Sequence, residues 1–274
     1  MRRGSQKPPD SRVVPEAWTL VTLRVMADGL ASKEPLLLIA GLGQGVWVWR
    51  DVLPTLEQDR RVIVFEATGT GKLAGLPARR SVADMAADVR AELDGRAHVL
   101  GFSMGGYVAL TLALSEPEIV RSLLLFATGG GGPGRVGRPR YVADAVAEAL
   151  GLPDDEFAER TMPFTMSPGW AEANPERFRD IIAARIEQPT TYELLEAHAA
   201  ACFRFYEEGC DVEKLSLPAL VVHGDQDLIV PVENGRMLAQ RLQRVEYVEL
   251  PGRGHNLMLE DPESFTRIAL EFLA

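Results

Sequence analysis

Cysteine and histidine are scarce in this sequence. Only two cysteines, Cys202 and Cys210, and four histidines occur among 274 residues. No further cysteine and no close histidine pair completes the ligand spacing of a zinc site, so we predict no bound metal. Two free thiols are the expected state in a reducing cytoplasm, where we predict that the protein works.

Long apolar runs and an excess of positive charge are also missing. No run approaches the ~20 apolar residues of a membrane-spanning helix, so we expect no membrane association. Residues 1–15 are polar and rich in proline, without the apolar core of a signal peptide, and we predict a loose tail there. The net charge of −10 gives no support for a nucleic-acid partner. Composition leaves the choice between monomer and homo-oligomer open.

Short apolar runs alternate with helix-like stretches along most of the chain. The runs do not alternate polar and apolar residues, which predicts strands buried on both faces of a parallel sheet. These runs are 36–40, 61–65, 97–100, 122–126 and 219–223, with a shorter strand at 244–250 and an antiparallel edge hairpin at 18–29. Helices are predicted at 81–94, 106–115, 232–242 and 262–273. The pattern indicates an open α/β sheet covered by helices.

One interval lacks this alternation of strand-like and helix-like stretches. Between 129 and 215 no strand-like run occurs, and helix-like pieces follow a run of four glycines. We predict that 16–128 and 216–274 form an α/β core and that 129–215 form a helical insertion, which we call the cap.

The stretch GFSMGG at 101–106 lies where a predicted strand turns into a predicted helix. A side chain on such a tight turn adopts a strained backbone conformation, and glycines two places away on either side relieve the crowding. The pattern G-x-S-x-G in this context is the nucleophile elbow, which exposes Ser103 at a helix start. The alternative is a glycine-rich turn with an incidental serine.

A serine nucleophile needs a base and an acid that orients the base. His255 lies in a glycine-rich loop between the last predicted strand and the last helix, whereas His198 falls in the cap, where surface exposure or pocket lining is expected. Asp225 and Asp227 both follow the strand at 219–223, and the local sequence does not choose between them. Serine, aspartate and histidine then occur in the chain order typical of this arrangement.

With these motifs, the sequence resembles the α/β-hydrolase superfamily over about 35–273. The resemblance implies a mostly parallel, eight-stranded sheet flanked by helices, with a helical cap. The family's G-x-x-D-x-x-x-P pattern favours Asp227, and its G-x-G-H pattern matches His255. It also implies an oxyanion hole formed by the backbone N–H groups of Leu42 and Met104. Ala40 departs from the family's usual histidine, so we expect altered support for this loop.

Two rival glycine motifs fail. The run at 41–46 has Val46 where a dinucleotide fingerprint needs glycine, and the run at 66–73 has Glu66 and Leu73 where a phosphate loop needs glycine and serine or threonine. We therefore predict no cofactor.

The sequence thus predicts a cofactor-free serine hydrolase acting on a small, largely apolar ester or lactone, with a cap resembling those of enol-lactonases and small carboxylesterases. The serine argues against relatives that open epoxides or displace halide with an aspartate nucleophile. Candidate pocket residues, for each of which packing is the alternative role and for Trp47 the favoured one, are Trp47, Phe157, Phe164, Met166, Trp170 and Tyr206. The alternatives are C–C bond hydrolysis, thioester cleavage, perhydrolysis, or a receptor that binds a small ligand without turnover.

Overall fold

A parallel β-sheet forms the centre of the molecule in the computed structural model, which describes residues 33–188 and 190–274. Its spatial order is β2-β1-β3-β4-β5-β6, and every neighbouring pair is parallel. The strands are β1 (Leu36–Ile39), β2 (Val62–Phe65), β3 (Ala97–Phe102), β4 (Val120–Phe126), β5 (Ala219–Gly224) and β6 (Val245–Leu250).

The central strands are buried on both faces, as their apolar runs predict. Successive residues of one strand point to opposite sides of the sheet and enter two different core clusters. Leu37 and Val99 belong to one cluster, while their neighbours Leu36 and Leu100 belong to the other. The continuous apolar runs are therefore explained by two cores that share one sheet.

Helices cover both of these faces. Helices α2 (Val82–Ala91), α3 (Met104–Ser115) and α9 (Val232–Arg241) contribute buried residues to one core, and α1 (Leu53–Asp59), α10 (Leu257–Glu260) and α11 (Pro262–Leu273) to the other. Ser81 caps α2 by accepting a hydrogen bond from the Asp84 N–H, which satisfies one of the free amides at the helix start. The four helices predicted from sequence are all present, within a few residues at their ends.

The segment between β4 and β5 contains no strand in its described residues. It holds α4 (Arg140–Ala149), α5 (Asp154–Thr161), α6 (Trp170–Ala173), α7 (Pro175–Ile186) and α8 (Tyr192–Glu208). Helix α8 packs onto the core, because the Phe205 ring stacks on that of Tyr107 in α3 with centroids 4.4 Å apart. This stacking brings α8 to the carboxyl edge of the sheet, where α3 begins.

The expected mostly parallel α/β fold is confirmed, although the described residues hold six strands where eight were expected. The tail predicted at 1–15 and the hairpin predicted at 18–29 lie outside the described residues. Within the described part of the chain, no helix combines the length and the apolar character needed to cross a membrane.

Phe265 of α11 supplies a test of the core. Its side chain is 0% exposed and contacts Phe126 with ring centroids 4.4 Å apart. Phe265→Ala should lower the free energy of unfolding by about 3–5 kcal/mol, because it removes buried apolar surface and leaves a cavity. Phe203→Ala is the matched control: Phe203 is 69% exposed, and its loss should cost less than about 0.5 kcal/mol. Equal effects in urea unfolding would contradict this view of the core.

Candidate active site

Ser103 lies on the tight turn between β3 and α3. Its backbone has φ 54° and ψ −119°, outside the regions that L-residues usually adopt. Two hydrogen bonds hold this turn: Ser103 N–H donates to the Phe126 carbonyl at 2.9 Å, and the Thr128 hydroxyl donates to the Ser103 carbonyl at 2.8 Å. The strained conformation is therefore fixed from β4 and the loop after it.

The glycines around Ser103 are required by close backbone contacts. A Cβ added at Gly101 would lie 2.4 Å from the Gly105 carbonyl oxygen, and one added at Gly105 would lie 2.1 Å from the Ile39 carbonyl oxygen. Both distances are shorter than any stable contact, so neither position tolerates a side chain. The crowding inferred from the sequence is present in the structure.

His255 and Asp227 form a direct hydrogen bond. His255 Nδ1 lies 2.7 Å from Asp227 Oδ2. A carboxylate accepts hydrogen bonds, so Nδ1 carries the proton and Nε2 of the neutral ring is left with a free lone pair. This is the tautomer that a general base facing a serine requires.

Asp227 is a buried carboxylate with both oxygens occupied. Oδ1 accepts from the N–H groups of Ile229 and Val230 at 2.8 and 2.9 Å, and Oδ2 lies 3.2 Å from His223 Nε2 in addition to His255. Burial alone would raise the pKa of Asp227, but the two histidines and their hydrogen bonds hold that pKa well below its ordinary value. The side chain is therefore ionised at neutral pH.

Asp225, the other candidate acid, takes a different position. Its Oδ1 accepts a hydrogen bond from the Gly252 N–H at 2.7 Å. The side chain thus joins the turn after β5 to the turn after β6 and does not contact His255 in the described hydrogen bonds.

Ser103 and His255 are brought to the same edge of the sheet. The His255 ring packs against Phe102, the residue directly before Ser103, with ring centroids 4.9 Å apart. The hydrogen bonds of the described residues do not include one between the Ser103 hydroxyl and His255. Such bonds are commonly long in unliganded enzymes and tighten when substrate binds.

Leu42 and Met104 offer two backbone N–H groups near this serine. Met104 is the first residue of α3, and Leu42 lies in the loop after β1. Neither amide donates a hydrogen bond to any of the described residues. Free amides at a helix start and in an adjacent loop are the groups that stabilise a developing oxyanion.

Gln44 supports the loop after β1, where Ala40 replaces the family's usual histidine. Its Oε1 accepts from the Gly41 N–H at 3.2 Å, and its Nε2 donates to Asn256 Oδ1 at 3.2 Å. The loop carrying Leu42 is therefore joined to the residue that follows His255. Sequence reasoning missed both Gln44 and Asn256, because their contact spans 212 positions of the chain.

The cap contacts the loop that carries His255. Asn256 donates through its backbone N–H to the Thr165 carbonyl and through its side chain to the Thr165 hydroxyl, both at 2.8 Å. Glu260 accepts from the N–H groups of Gly254 and Ser167 at 3.0 and 3.1 Å. Residues 165–167 thus fix the histidine loop from the cap side.

The six predicted pocket residues occupy varied positions. Trp47 and Met166 are fully buried within the core cluster on the α1 and α11 face, and Trp170 packs against that cluster. The other three contact residues of the segment 129–215 itself. Phe157 lies under the Arg185 guanidinium and Phe164 packs on Tyr141. The Tyr206 hydroxyl donates a hydrogen bond to the Val136 carbonyl. These contacts are packing contacts, and a pocket role for any of the six stays a prediction.

Metal ligands are not clustered in the described part of the chain. No group of three histidine, cysteine, aspartate or glutamate side chains there could hold a metal ion. The geometry that is present is that of an imidazole and a carboxylate beside a hydroxyl.

Comparison with known proteins identifies the family. The sequence profile described as "alpha/beta hydrolase fold" matches residues 34–262. The chain belongs to the α/β-hydrolase fold family. The resemblance inferred from the motifs around Ser103, Asp227 and His255 is thereby confirmed at the level of the family.

Individual members of the α/β-hydrolase fold family match over nearly the whole chain. A protein from Stutzerimonas stutzeri, named as a provisional carbamate hydrolase, RutD, is 30% identical over 87% of this chain and 91% of its own. A 2-hydroxy-6-oxononadienedioate/2-hydroxy-6-oxononatrienedioate hydrolase from Paraburkholderia phymatum is 30% identical over 90% and 89%. The enol-lactonase of Burkholderia xenovorans has the same fold, with a TM-score of 0.74, 23% identity and coverage of 88% and 91%. The protein is a hydrolase.

Because the pKa of Asp227 is depressed, we predict that the stability difference between the native protein and Asp227→Asn depends on pH. The folded state favours the ionised carboxylate of Asp227. Its contribution to the free energy of unfolding is therefore present above the pKa of about 3.9 that an aspartate has in the unfolded chain, and it is lost as the pH falls below that value. Asp227→Asn should be about 1–3 kcal/mol less stable than the native chain at pH 7, and the gap should narrow near pH 3.5. Urea unfolding at several pH values measures it.

The control for this measurement is Asp225→Asn, which removes a carboxylate from a more exposed turn. It should lose less than about 1 kcal/mol at pH 7. An Asp227→Asn variant that matches the native chain at pH 7, or whose deficit does not change with pH, would contradict the assignment of a buried ionised carboxylate.

Proposed function

We propose that the protein is a serine hydrolase in which Ser103, His255 and Asp227 act as a catalytic triad on a small, largely apolar carboxylic ester or lactone. The observation that carries this proposal is the 2.7 Å contact between His255 Nδ1 and Asp227 Oδ2 beside the strained Ser103. Strained backbone and a buried, oriented imidazole are features that cluster at sites of nucleophilic catalysis.

The reaction proceeds in two steps through an acyl-enzyme. His255 Nε2 takes the proton of the Ser103 hydroxyl as the serine oxygen attacks the substrate carbonyl, and the same imidazole then protonates the leaving alkoxide. A water molecule, deprotonated by His255, next attacks the acyl group. The bond to the serine oxygen then breaks as His255 returns the proton to Ser103, which releases the acid and restores the free enzyme. Asp227 keeps the imidazole in the required tautomer and stabilises its positive charge during each step.

Leu42 and Met104 stabilise the tetrahedral intermediates. Their free N–H groups donate to the oxygen that becomes negatively charged as the carbonyl is attacked. Each donor of this kind lowers the barrier by ~3–4 kcal/mol. The dipole of α3, which begins at Met104, adds a favourable potential at the same point.

The apolar character proposed for the substrate is supported by residues of the segment 129–215 that lie near the site. The backbone of Met166 lies against Gly254, the residue before His255, and Phe205 stacks on Tyr107 of α3. Ligand sites of this type are mostly apolar with a few directed polar groups. The enol-lactonase with the same fold supports a lactone or ester as the reacting group.

Carbon–carbon bond hydrolysis is the second candidate. It is favoured by the Paraburkholderia relative named as a 2-hydroxy-6-oxononadienedioate/2-hydroxy-6-oxononatrienedioate hydrolase, which is 30% identical over most of both chains. The same proposed triad serves either reaction, since both require a nucleophile or activated water at a carbonyl.

A cytoplasmic location remains part of the proposal. Its support is that Cys202 and Cys210 are both free thiols, as expected in a reducing compartment. Burial raises the pKa of each thiol to about 12, so neither forms a reactive thiolate at neutral pH.

Replacing the proposed nucleophile provides the direct test. Ser103→Ala should reduce ester hydrolysis by at least about 10⁴-fold and abolish labelling by a fluorophosphonate, because both need the hydroxyl. Ser122→Ala is the control, since Ser122 is also buried but bonds His98 near the start of β3, at the opposite edge of the sheet. The proposal fails if Ser103→Ala keeps native activity with an unchanged melting temperature.

Substrate profiling separates the candidate activities. Short p-nitrophenyl esters, simple lactones and a 2-hydroxy-6-oxo-dienoate should be assayed side by side, and we expect esters and lactones to give the larger kcat/KM. Preference for the dienoate by tenfold or more would favour carbon–carbon hydrolysis. Tight binding of one compound with rapid fluorophosphonate labelling but no turnover would favour a receptor.

A further inference from the structure

His198 is a buried histidine on α8 that the proposed mechanism does not use. It is 1% exposed, and it shares one face of the helix with Leu194, Ala201 and Phe205, all of which are buried. Positions three, four and seven residues apart lie on the same side of a helix. Because Phe205 stacks on Tyr107 of α3, this face of α8 lies over the helix that begins directly after Ser103.

The Nδ1 atom of His198 holds the loop after β1, which carries the proposed oxyanion donor Leu42. It lies 3.2 Å from the Gly43 N–H, the amide that follows Leu42. The Gly43 carbonyl is held as well, because the Thr190 hydroxyl donates to it at 2.9 Å. Both peptide groups of Gly43 are therefore bonded to the cap.

This contact fixes which ring nitrogen of His198 carries a proton. An amide N–H can only donate, so Nδ1 accepts and the neutral ring must carry its hydrogen on Nε2. Burial lowers the pKa of His198 to about 4, so the ring is neutral at pH 7. His198 therefore presents an N–H donor and no charge.

The Nε2–H group has no hydrogen-bond partner among the residues that the structure describes. Buried donors are nearly always satisfied in native proteins, since leaving one unpaired is unfavourable. A donor that is buried and unpaired beside a proposed oxyanion hole is a group that a bound substrate can satisfy.

We propose that His198 is a substrate-contacting residue whose Nε2–H donates a hydrogen bond to a second oxygen of the substrate, separate from the oxygen bound by Leu42 and Met104. The proposal rests on the proposed function of the Ser103 site and narrows its substrate class. The preferred ester or lactone carries a further carbonyl or ether oxygen in its acyl part, and a purely hydrocarbon acyl group leaves the buried donor unpaired.

Two esters of matched length test this preference. The p-nitrophenyl esters of 4-oxopentanoate and of pentanoate differ in one carbonyl oxygen of the acyl chain. The native enzyme should show a kcat/KM about tenfold higher for the oxo ester, because only that ester pairs with the His198 donor. Equal values for the two esters would overturn the proposal.

Two substitutions separate the roles of the two ring nitrogens. His198→Asn places an amide oxygen where Nδ1 accepts from Gly43 but has no donor at the position of Nε2, whereas His198→Gln restores an N–H donor near that position. We expect the ratio of kcat/KM for the oxo ester to that for the pentanoate ester to fall to about one in His198→Asn, whatever the effect on the activity with either ester alone, and His198→Gln to retain part of the preference.

The matched control is His98→Asn. His98 also uses Nδ1 in a hydrogen bond, at 2.7 Å from the Ser122 hydroxyl, and burial also lowers its pKa to about 4, but it lies near the start of β3. This variant should keep the native oxo preference. A preference that survives in His198→Asn, or that disappears equally in His98→Asn, would contradict the role of His198.

A binding measurement decides the question without turnover. In Ser103→Ala, the Nε2–H resonance of His198 should shift when 4-oxopentanoate is added and stay unchanged with pentanoate. The same response to both acids would overturn the proposal, even if His198→Asn fails to fold. Absence of ester turnover and of fluorophosphonate labelling in the native enzyme would instead refute the proposed function, so the two failures are distinguishable.

Discussion

The positive φ of Ser103 is the constraint on which the rest of the site depends. A serine pays a conformational penalty there that is offset only because neighbouring backbone closes tightly around it, with glycine at 101 and 105 as the sole residue type that fits. The resulting turn places Ser103 directly before α3 and leaves the Met104 amide, the first of that helix, without a hydrogen-bond acceptor among the described residues. The proposed nucleophile and one of the two proposed oxyanion donors are thus products of one backbone conformation.

The loop after β5, which carries Asp227, shows how a buried charge is accommodated. Asp227 receives two backbone N–H groups and lies beside two imidazoles, so the cost of removing its charge from water is balanced by donors on both oxygens. His223 contributes to this shell: its Nε2 also lies 2.7 Å from the Val230 carbonyl, which requires a proton on that nitrogen. A rigid carboxylate restricts the imidazole of His255 to one orientation.

Much of the fold could be predicted from the sequence because its strands and its tight turn depend on patterns of neighbouring residues. Continuous apolar runs are typical of strands buried on both faces, and glycines flanking Ser103 mark a tight turn. The choice between Asp225 and Asp227 was not local: it depended on a family pattern, and the structure provides a physical basis for it, since Asp225 bonds Gly252 and Asp227 bonds His255.

The supports of the site could not be predicted because they are contacts between distant parts of the chain. Gln44 meets Asn256 across 212 positions and His198 meets Gly43 across 155, and no periodicity or motif marks either pair. A lone histidine on the apolar face of α8 was the one available signal, and it fits surface, packing and binding roles equally. Apolar residues of the cap were similarly ambiguous, since Phe157 and Phe164 find partners within the cap itself.

The segment 129–215 contacts two different loops of the core. Residues 165–167 bond the loop that carries His255, and residues 190–198 bond the loop that carries Leu42. Hydrogen bonds from this segment therefore hold both loops in place. Moving this segment away from the core as a unit would break the hydrogen bonds that Thr165 makes with Asn256 and that His198 and Thr190 make with Gly43, so the two loops keep their present geometry only while those contacts hold.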